Sequence, residues 1–244
     1  MSSVAEEDAE RVLVIVAHPD DAEFWAGGTI ARWADAGTVV TYCVLTDGDA
    51  GGFDPQIPRS EIPRIRRAEQ REAAGRLGVS EVRFLGLAEG GLGDASPELH
   101  KDLVRIIRQE RPQRVVTWSP EWSWERFRSC HPAHRATGAA TLTAIYPDAG
   151  NAFALARLMQ DEGLDAWTVR EAWLINSPAR EINHYVDITG TFARKVAAVR
   201  AHASQISDPD ALPGRLRERI ARNTAAAGLP PGRLAEAFQV VVTG

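Results

Sequence analysis

Residues 12–17 form an unbroken apolar run, VLVIVA, in which most side chains are β-branched. A strand of this composition is buried on both faces, as in a parallel sheet that is covered by helices on both sides. The polar residues HPDDAEF follow at 18–24, and the helical spacing of apolar residues resumes at 26–36. Strand, polar loop and helix in this order predict the first unit of an α/β fold.

The same alternation continues along the chain. We predict further strands at residues 39–45, 81–85, 114–118, 172–175, 185–188 and 238–242. We predict helices at residues 61–77, 97–110, 191–203 and 215–227, and another that begins near residue 134. This pattern predicts a Rossmann-like, doubly wound, mostly parallel sheet flanked by helices on both faces. We expect a single domain over residues 11–244, after a disordered tail at residues 1–10.

The charge balance narrows the class of partner. The formal net charge is −5, which does not suggest a nucleic-acid surface. The first residues, MSSVAEEDAE, lack the basic and apolar segments of a signal peptide, and no apolar run has the length of a membrane span. We therefore expect a cytoplasmic protein that acts on a small molecule, without nucleic acid or membrane partners. Its 7 tryptophans would permit the interface of a homo-oligomer.

Two polar clusters carry the chemistry. His18, Asp20 and Asp21 follow the first strand, while His131 and His134 follow the strand that ends at residue 118. Ligands of doubly wound sheets bind beyond the carboxyl ends of the strands, so we expect the two clusters to meet there. Two imidazoles and one carboxylate around a cation, with one open position, are typical of catalytic zinc. Nitrogen ligands favour zinc or another late divalent metal over magnesium or calcium.

These five side chains exceed what one four-coordinate metal can bind, so some of them must have other roles. One aspartate can bind the metal while its neighbour acts as general base. One histidine can bind the metal while the other faces a substrate carbonyl. This division describes an amide hydrolase, and the residues alone leave open which member of each pair takes which role.

The two clusters resemble a known family. The segments that carry the resemblance are AHPDDAEF at 17–24, GGT at 27–29 and HPAHRATG at 131–138. Agreement extends to RRAEQREAAGRLGV at 66–79, FLGL at 84–87, RPQRVVTWSP at 111–120 and KVAAVRAHASQ at 195–205. Over residues 12–238 the chain resembles the N-acetylglucosaminyl-phosphatidylinositol de-N-acetylase family, also called the PIG-L or LmbE-like family.

The resemblance implies a zinc-dependent hydrolase that removes an N-acyl group, acetyl above all, from an N-acetylglucosamine-type glycoside or glycosylated metabolite. It implies that His18, Asp21 and His134 bind one Zn²⁺ per chain. It also implies that Asp20 is the general base and that His131 is the acid and electrophile. No other cofactor is expected.

One position departs from the family pattern. The family's second element is usually HPDH, and this chain has Ala133 in place of the aspartate. We expect Asp187 or Glu23 to replace that carboxylate, or activity to be weaker or shifted in pH. Two alternatives therefore stay open: an amidase of a thiol-sugar conjugate, or a catalytically weakened relative that binds metal or sugar. A nucleotide-binding protein is disfavoured, because GGLG at 90–93 suits a plain turn and no glycine-rich loop follows the first strand.

Four further residues are candidate substrate contacts, each with a structural alternative. Arg66 contacts substrate or forms a surface pair with Glu69, three residues away. Asp47 binds substrate hydroxyls or shapes a turn. Trp122 stacks on a sugar or packs over the sheet edge. His202 reaches the pocket rim or caps a helix end.

Overall fold

The computed structural model describes residues 9–88, 92 and 96–244. Most of the predicted tail at 1–10 and most of the predicted turn at 90–93 lie outside these residues. The strands are β1 (Arg11–Val16), β2 (Val39–Thr46), β3 (Glu81–Leu87), β4 (Arg114–Trp118), β5 (Glu171–Ile175), β6 (His184–Asp187) and β7 (Ala235–Val242). The helices are α1 (Asp21–Asp35), α2 (Ile62–Leu77), α3 (Pro97–Glu110), α4 (Pro132–Thr143), α5 (Ala156–Glu162), α6 (Phe192–Arg200) and α7 (Leu212–Ala226). Within the described ranges, no helix is long and apolar enough to cross a membrane.

The sheet has 7 strands in the order β3-β2-β1-β4-β5-β7-β6. Strands β1 to β5 pair in parallel, and β1 lies between β2 and β4. Strand β7 runs antiparallel to both of its neighbours, β5 and β6. The prediction of a doubly wound, mostly parallel sheet is confirmed, and the antiparallel pairings are confined to the edge formed by the last strands.

Two apolar cores lie on opposite faces of the sheet, because successive side chains of a strand point to opposite sides. Val14 of β1 packs in one core with residues of α1, α2, α6 and α7. Its neighbours Leu13 and Ile15 pack in the other core with residues of α3, α4 and α5. This double burial explains why the first strand is apolar throughout.

The observed helix starts correct two predicted boundaries. Helix α1 begins at Asp21 and not at residue 26, so the polar loop contains only residues 18–20. Acidic side chains in a first turn interact favourably with the helix dipole, and Asp21 and Glu23 both lie there. Helix α4 begins at Pro132, which suits the first helical position, and this makes His131 the N-cap residue. Helix α5 was not predicted.

A buried ion pair fastens α1 to the sheet. Lys195 of α6 donates to the carbonyls of Glu23 and Phe24, at 3.0 and 2.8 Å, and to Glu236 of β7 at 2.6 Å. The carboxylate of Glu236 also accepts the backbone N–H of Thr29 at 2.7 Å. Lys195 and Glu236 are almost fully buried. Such a pair holds its partners firmly, because removing either charge leaves the other buried and uncompensated.

Two adjacent glycines of α1 test this packing. An added Cβ at Gly28 would lie 2.7 Å from Ile188 side-chain atoms, whereas at Gly27 it would lie 3.4 Å from Lys195. We expect Gly28→Ala to lower the free energy of unfolding by about 1–3 kcal/mol, because the core must move to accommodate the methyl group. Gly27→Ala is the matched control and should stabilise by up to about 1 kcal/mol through helix propensity. Urea unfolding of both variants measures the difference, and equal stabilities would contradict the packing argument.

Candidate metal centre

The pairing of β1 with β4 brings the two polar clusters together. These strands are parallel neighbours, so the loops that follow them leave the same edge of the sheet. The first loop carries His18 and leads into α1, while the second ends at His131 and leads into α4. As a result, Nδ1 of His18 lies 3.2 Å from Nε2 of His134, although the two residues are 116 positions apart.

Three side chains bring possible metal-binding atoms together at this point. Oδ1 of Asp21 lies 3.3 Å from Nε2 of His134, and Oδ2 lies 3.6 Å from Nδ1 of His18. Ligand atoms about 2.0–2.1 Å from a tetrahedral zinc lie roughly 3.3 Å from each other. The spacing of these two nitrogens and one carboxylate therefore fits a single small divalent cation.

His131 stands beside the three donors. One nitrogen each from His18, His131 and His134 could bind an ion together, since these atoms lie within 4.8 Å of one another. The Asp21 carboxylate is closer to the other two imidazoles, at 3.3 and 3.6 Å. Asp21 and His131 are therefore both close enough to serve as the third ligand beside His18 and His134.

Hydrogen bonds fix the carboxylate of Asp21. Its Oδ2 accepts the backbone N–H of His18 at 2.9 Å and the indole N–H of Trp118 at 3.1 Å. Burial alone would raise the pKa of Asp21, but the charge and hydrogen bonds of His134 and His18 outweigh it and hold the pKa well below its usual value. Asp21 is therefore an oriented anion, as a metal ligand must be.

The ring of His134 is also held in one orientation. It stacks on Trp118, with centroids 3.6 Å apart and planes inclined by 6°. Its Nδ1 lies 3.2 Å from the carbonyl oxygen of Ser129. A carbonyl only accepts, so Nδ1 carries a proton, and Nε2 is the nitrogen that faces His18 and Asp21. Histidine ligands of metals usually donate their second nitrogen in this way.

Asp20 occupies a backbone conformation that is uncommon for residues other than glycine. Its φ is 101°, and its N–H donates to Oε1 of Gln70 at 2.9 Å. Its carboxylate lies 3.3 Å from a guanidinium nitrogen of Arg66. Burial raises the pKa of Asp20 to about 6, although Arg66 opposes the shift and Asp21 adds to it. A carboxyl group with this pKa can take up and release a proton near neutrality.

A chain of hydrogen bonds between buried polar groups connects Asp20 to His202 through Gln70 and Glu23. Nε2 of Gln70 donates to Glu23 at 2.9 Å, and the other carboxylate oxygen of Glu23 lies 3.2 Å from Nε2 of His202. Burial lowers the pKa of His202, but the hydrogen bond and charge of Glu23 outweigh it, so the net shift is upward. His202 is fully buried, so the prediction that it reaches the pocket rim is wrong. The side chain of His202 instead pairs with Glu23 in the interior.

Arg66 is buried and not a surface residue. It donates to the carbonyls of Pro19 and Gly48, and so joins the loops that follow β1 and β2. The alternative of a surface pair with Glu69 is wrong, because Glu69 instead accepts from the backbone and hydroxyl of Ser204 at 2.7 Å.

The other two candidate substrate contacts have partners of their own. Asp47 forms a two-pronged ion pair with Arg67, with both distances 2.7 Å. Trp122 stacks on Trp124 with a centroid separation of 5.3 Å, and Arg135 lies 4.2 Å from its ring. Neither Asp47 nor Trp122 lines the pocket at the metal centre.

At the position of the departure, His131 is hydrogen-bonded to a backbone group. Nδ1 of His131 accepts the N–H of Ala133 at 3.3 Å, as an N-cap side chain does. The two carboxylates expected to substitute are engaged elsewhere, Asp187 by Arg233 and Thr189, and Glu23 by the buried chain.

A pocket of about 340 Å³ opens over the donor atoms. Its lining consists of His18, Asp20, Asp21, Ala50, Gly51, Arg66, Arg128, His131 and His134. Sequence reasoning missed Arg128 and the supporting role of Gln70. Gln70 lies four residues after Arg66 and so shares its helix face, which is the one sequence signal that could have indicated it.

Comparison with known proteins identifies relatives of the whole domain. A family model described as PIG-L, GlcNAc-PI de-N-acetylase, matches residues 13–145. The diacetylchitobiose deacetylase of Thermococcus kodakarensis is 32% identical over 201 residues, which cover 82% of this chain and 72% of that protein. A probable N-acetyl-alpha-D-glucosaminyl L-malate deacetylase 2 of Bacillus cereus is 31% identical over 199 residues, covering 80% of this chain and 83% of that protein.

A solved structure agrees with the sequence comparison. The N,N'-diacetylchitobiose deacetylase from Pyrococcus horikoshii, complexed with an inhibitor, superposes with a TM-score of 0.85 at 31% identity. The superposition covers 96% of this chain and 85% of that one. The family match, residues 13–145, includes both polar clusters. The chain therefore belongs to the PIG-L, or GlcNAc-PI de-N-acetylase, family of LmbE-like deacetylases.

Proposed function

We propose that this chain is a zinc-dependent deacetylase that removes the acetyl group from the nitrogen of an N-acetylglucosamine-type glycoside. The observation that carries the proposal is the convergence of two imidazole nitrogens and one carboxylate group, with separations of 3.2–3.6 Å, beneath a pocket. The names of the relatives support the substrate class, since they refer to diacetylchitobiose and to N-acetyl-alpha-D-glucosaminyl L-malate.

His18, Asp21 and His134 would hold the metal ion. Their donor set of two nitrogens and one carboxylate oxygen leaves a fourth position open, as in catalytic zinc sites. When bound, the ion would supply Lewis acidity, polarising the amide carbonyl and making a water molecule more acidic. The indole of Trp118 and the carbonyl of Ser129 keep the two ligands that they contact in place.

Asp20 is the general base of the proposal. Its carboxylate accepts a proton from the attacking water and later passes it towards the leaving amine. The pKa of about 6 that burial gives this group keeps both protonation states accessible during turnover. Arg66 and Gln70 hold the residue by its carboxylate and its backbone N–H, which limits the positions that the base can take.

His131 is the electrophilic partner on the other side of the pocket. Because its Nδ1 accepts the Ala133 N–H, the neutral ring carries its proton on Nε2. That N–H can donate a hydrogen bond to the oxygen that becomes negative as the tetrahedral intermediate forms.

Amine release from a small panel of amides tests the proposal. The zinc-loaded protein is incubated with N-acetylglucosamine, diacetylchitobiose, N-acetylglucosaminyl malate and an acylated thiol-sugar conjugate, and free amine is detected with fluorescamine. We expect release from at least one acetylated sugar. Release from the thiol-sugar conjugate alone would instead indicate an amidase for a larger acyl group.

Ala133 favours a second candidate, a relative that binds metal or sugar but turns over weakly. It lacks the carboxylate that usually neighbours the catalytic histidine. Stoichiometric zinc without amine release from any member of the panel would support this candidate and contradict the deacetylase.

Substitution of the base separates catalysis from metal binding. We expect Asp20→Asn to lower kcat by about 10²–10⁴-fold, the usual contribution of a positioned base. Zinc content should stay near that of the parent protein, because Asp20 is not among the proposed ligands. Metal analysis and steady-state kinetics on one preparation measure both. Full turnover in Asp20→Asn would contradict the assignment.

Removal of a proposed metal ligand should lower the zinc content as well as the activity, unlike removal of the base. In His134→Ala we expect both zinc and activity to be lost, because one imidazole and one carboxylate hold the ion poorly. His131→Ala is the matched control on the same helix turn. It should retain zinc while kcat falls by about 10²–10³-fold, the usual effect of losing one oxyanion donor. Retention of zinc in His134→Ala, or its loss in His131→Ala, would reverse the two roles.

Gln70 is proposed as a positioning residue for Asp20. In Gln70→Leu the Asp20 N–H and the Glu23 carboxylate lose their shared partner, at a stability cost of about 1–3 kcal/mol. We expect kcat to fall by at least about tenfold with KM and zinc content little changed, since the base loses its fixed position. Gln109→Leu, an exposed glutamine paired with Arg83, is the control. An equal kcat in both variants, despite the lower stability of Gln70→Leu, would mean that Gln70 is only structural.

A further inference from the structure

A second and larger cavity shares no lining residue with the pocket at the candidate metal centre. Its volume is about 680 Å³, within the usual range for small-molecule sites. Helix α1 contributes Phe24 and Trp25 to its wall, and the end of β5 contributes Asn176. The remaining walls are the segment Trp124–Ser129, strands β6 and β7, and helix α7. None of the residues in the proposed chemistry lines it.

Two arginines in this cavity share one aromatic ring. The guanidinium carbon of Arg219 lies 3.8 Å from the centroid of Trp25, and that of Arg126 lies 6.0 Å from it. Within residues 9–88, 92 and 96–244, neither arginine forms an ion pair with a carboxylate. Packing against the protein lowers the pKa of Arg219 to about 10 and the positive charge of Arg126 adds to this shift, although the residue keeps an exposed part.

The other charged groups of the wall leave an excess of positive charge. Arg222 also lines the cavity, as does Arg215, which is paired with Asp208 outside it. The acidic groups are Glu125, Glu218 and Glu236. Glu236 is neutralised by Lys195, while Glu125, which accepts the backbone N–H of Ala179 at 2.9 Å, and Glu218 keep their negative charge. Against these two carboxylates stand the three arginines Arg126, Arg219 and Arg222. The charge that remains favours an anionic ligand.

Asn176 lines the cavity and carries a buried amide oxygen without a hydrogen-bond partner. The residue is only 6% exposed and has a φ of 58°. Its Nδ2 donates to the carbonyl of Ser129 at 3.1 Å, which fixes the amide orientation, while Oδ1 is buried and has no hydrogen-bond partner. An unpaired buried acceptor is costly, and a hydroxyl group of a ligand would satisfy it.

We propose that this cavity is a binding site for a small hydroxylated organic anion, a sugar acid or a sugar phosphate. The arginines Arg126 and Arg219 would hold the carboxylate or phosphate, and both of these anions match the donor geometry of a guanidinium. Asn176 would accept a hydrogen bond from a hydroxyl group, and the apolar wall at Phe24 would contact the carbon skeleton.

The site is joined to the metal centre through one carbonyl group. The oxygen of Ser129 lies 3.2 Å from Nδ1 of His134 and accepts from Asn176 at 3.1 Å. A ligand that binds Asn176 would therefore contact a side chain whose amide group donates to the Ser129 carbonyl, and that carbonyl also orients His134, a proposed metal ligand.

Calorimetric titration of the full chain tests the proposal, with D-gluconate and D-glucose 6-phosphate as probes. D-Glucose and hexanoate are the matched compounds without the charge or without the hydroxyls. We expect at least one hydroxylated anion to bind, and glucose and hexanoate to bind at least about tenfold more weakly. Binding of gluconate alone would identify a carboxylate site, and binding of the phosphate alone a phosphate site. No binding by either, or equal binding by hexanoate, would overturn the proposal.

Substitutions of three arginines of α7 test whether the anion binds in this cavity. Arg219→Gln should weaken the affinity by at least about tenfold, because one charge-assisted contact is lost. Arg217→Gln removes the same charge from the same helix but lies against Phe192 outside the cavity, so its affinity should match that of the parent protein. Arg222→Gln serves as a second cavity variant if Arg219→Gln unfolds. Equal affinities in the cavity variant and in Arg217→Gln would place the anion elsewhere and overturn the proposal.

Discussion

The carboxylate of Asp21 joins the parts of the site that come from separate strands. It accepts from the backbone of His18 after β1 and from the indole of Trp118 at the end of β4, and it faces His134 of α4 at 3.3 Å. Because Asp21 is also the first residue of α1, the helix start fixes its direction. The side chains proposed to hold the metal therefore take their positions around one buried anion.

Around this anion, the interior holds further charged groups that have opposite or hydrogen-bonding partners. Lys195 faces Glu236, His202 faces Glu23, and Arg66 bonds to Asp20 and two loop carbonyls. Buried charges are tolerated only in such pairs. The pairs connect α1, α2, α6 and β7 directly, so the site rests on a framework in which removal of one partner leaves another uncompensated.

The fold and the two polar clusters could be predicted because they depend on local pattern. The apolar run at residues 12–17 indicates a strand buried on both faces, and the edge rule for doubly wound sheets brings the following loops together. The burial of Arg66 and His202 and the identity of their hydrogen-bond partners could not be predicted. Their partners, Gly48 and Glu23, are 18 and 179 positions away, and no local spacing encodes such contacts.

The helix cap at the start of α4 determines how His131 is hydrogen-bonded in a chain that has Ala133. As the N-cap residue of α4, His131 accepts the Ala133 N–H through Nδ1 whatever side chain residue 133 carries. A backbone N–H at Nδ1 favours the neutral tautomer with its proton on Nε2, whereas a carboxylate there would favour the doubly protonated ring. The helix cap thus aims the ring without supplying charge. Under the proposed mechanism, His131 is therefore suited to donating a hydrogen bond to an oxyanion, and the proton for the leaving amine would come from Asp20, whose pKa of about 6 allows it to carry one.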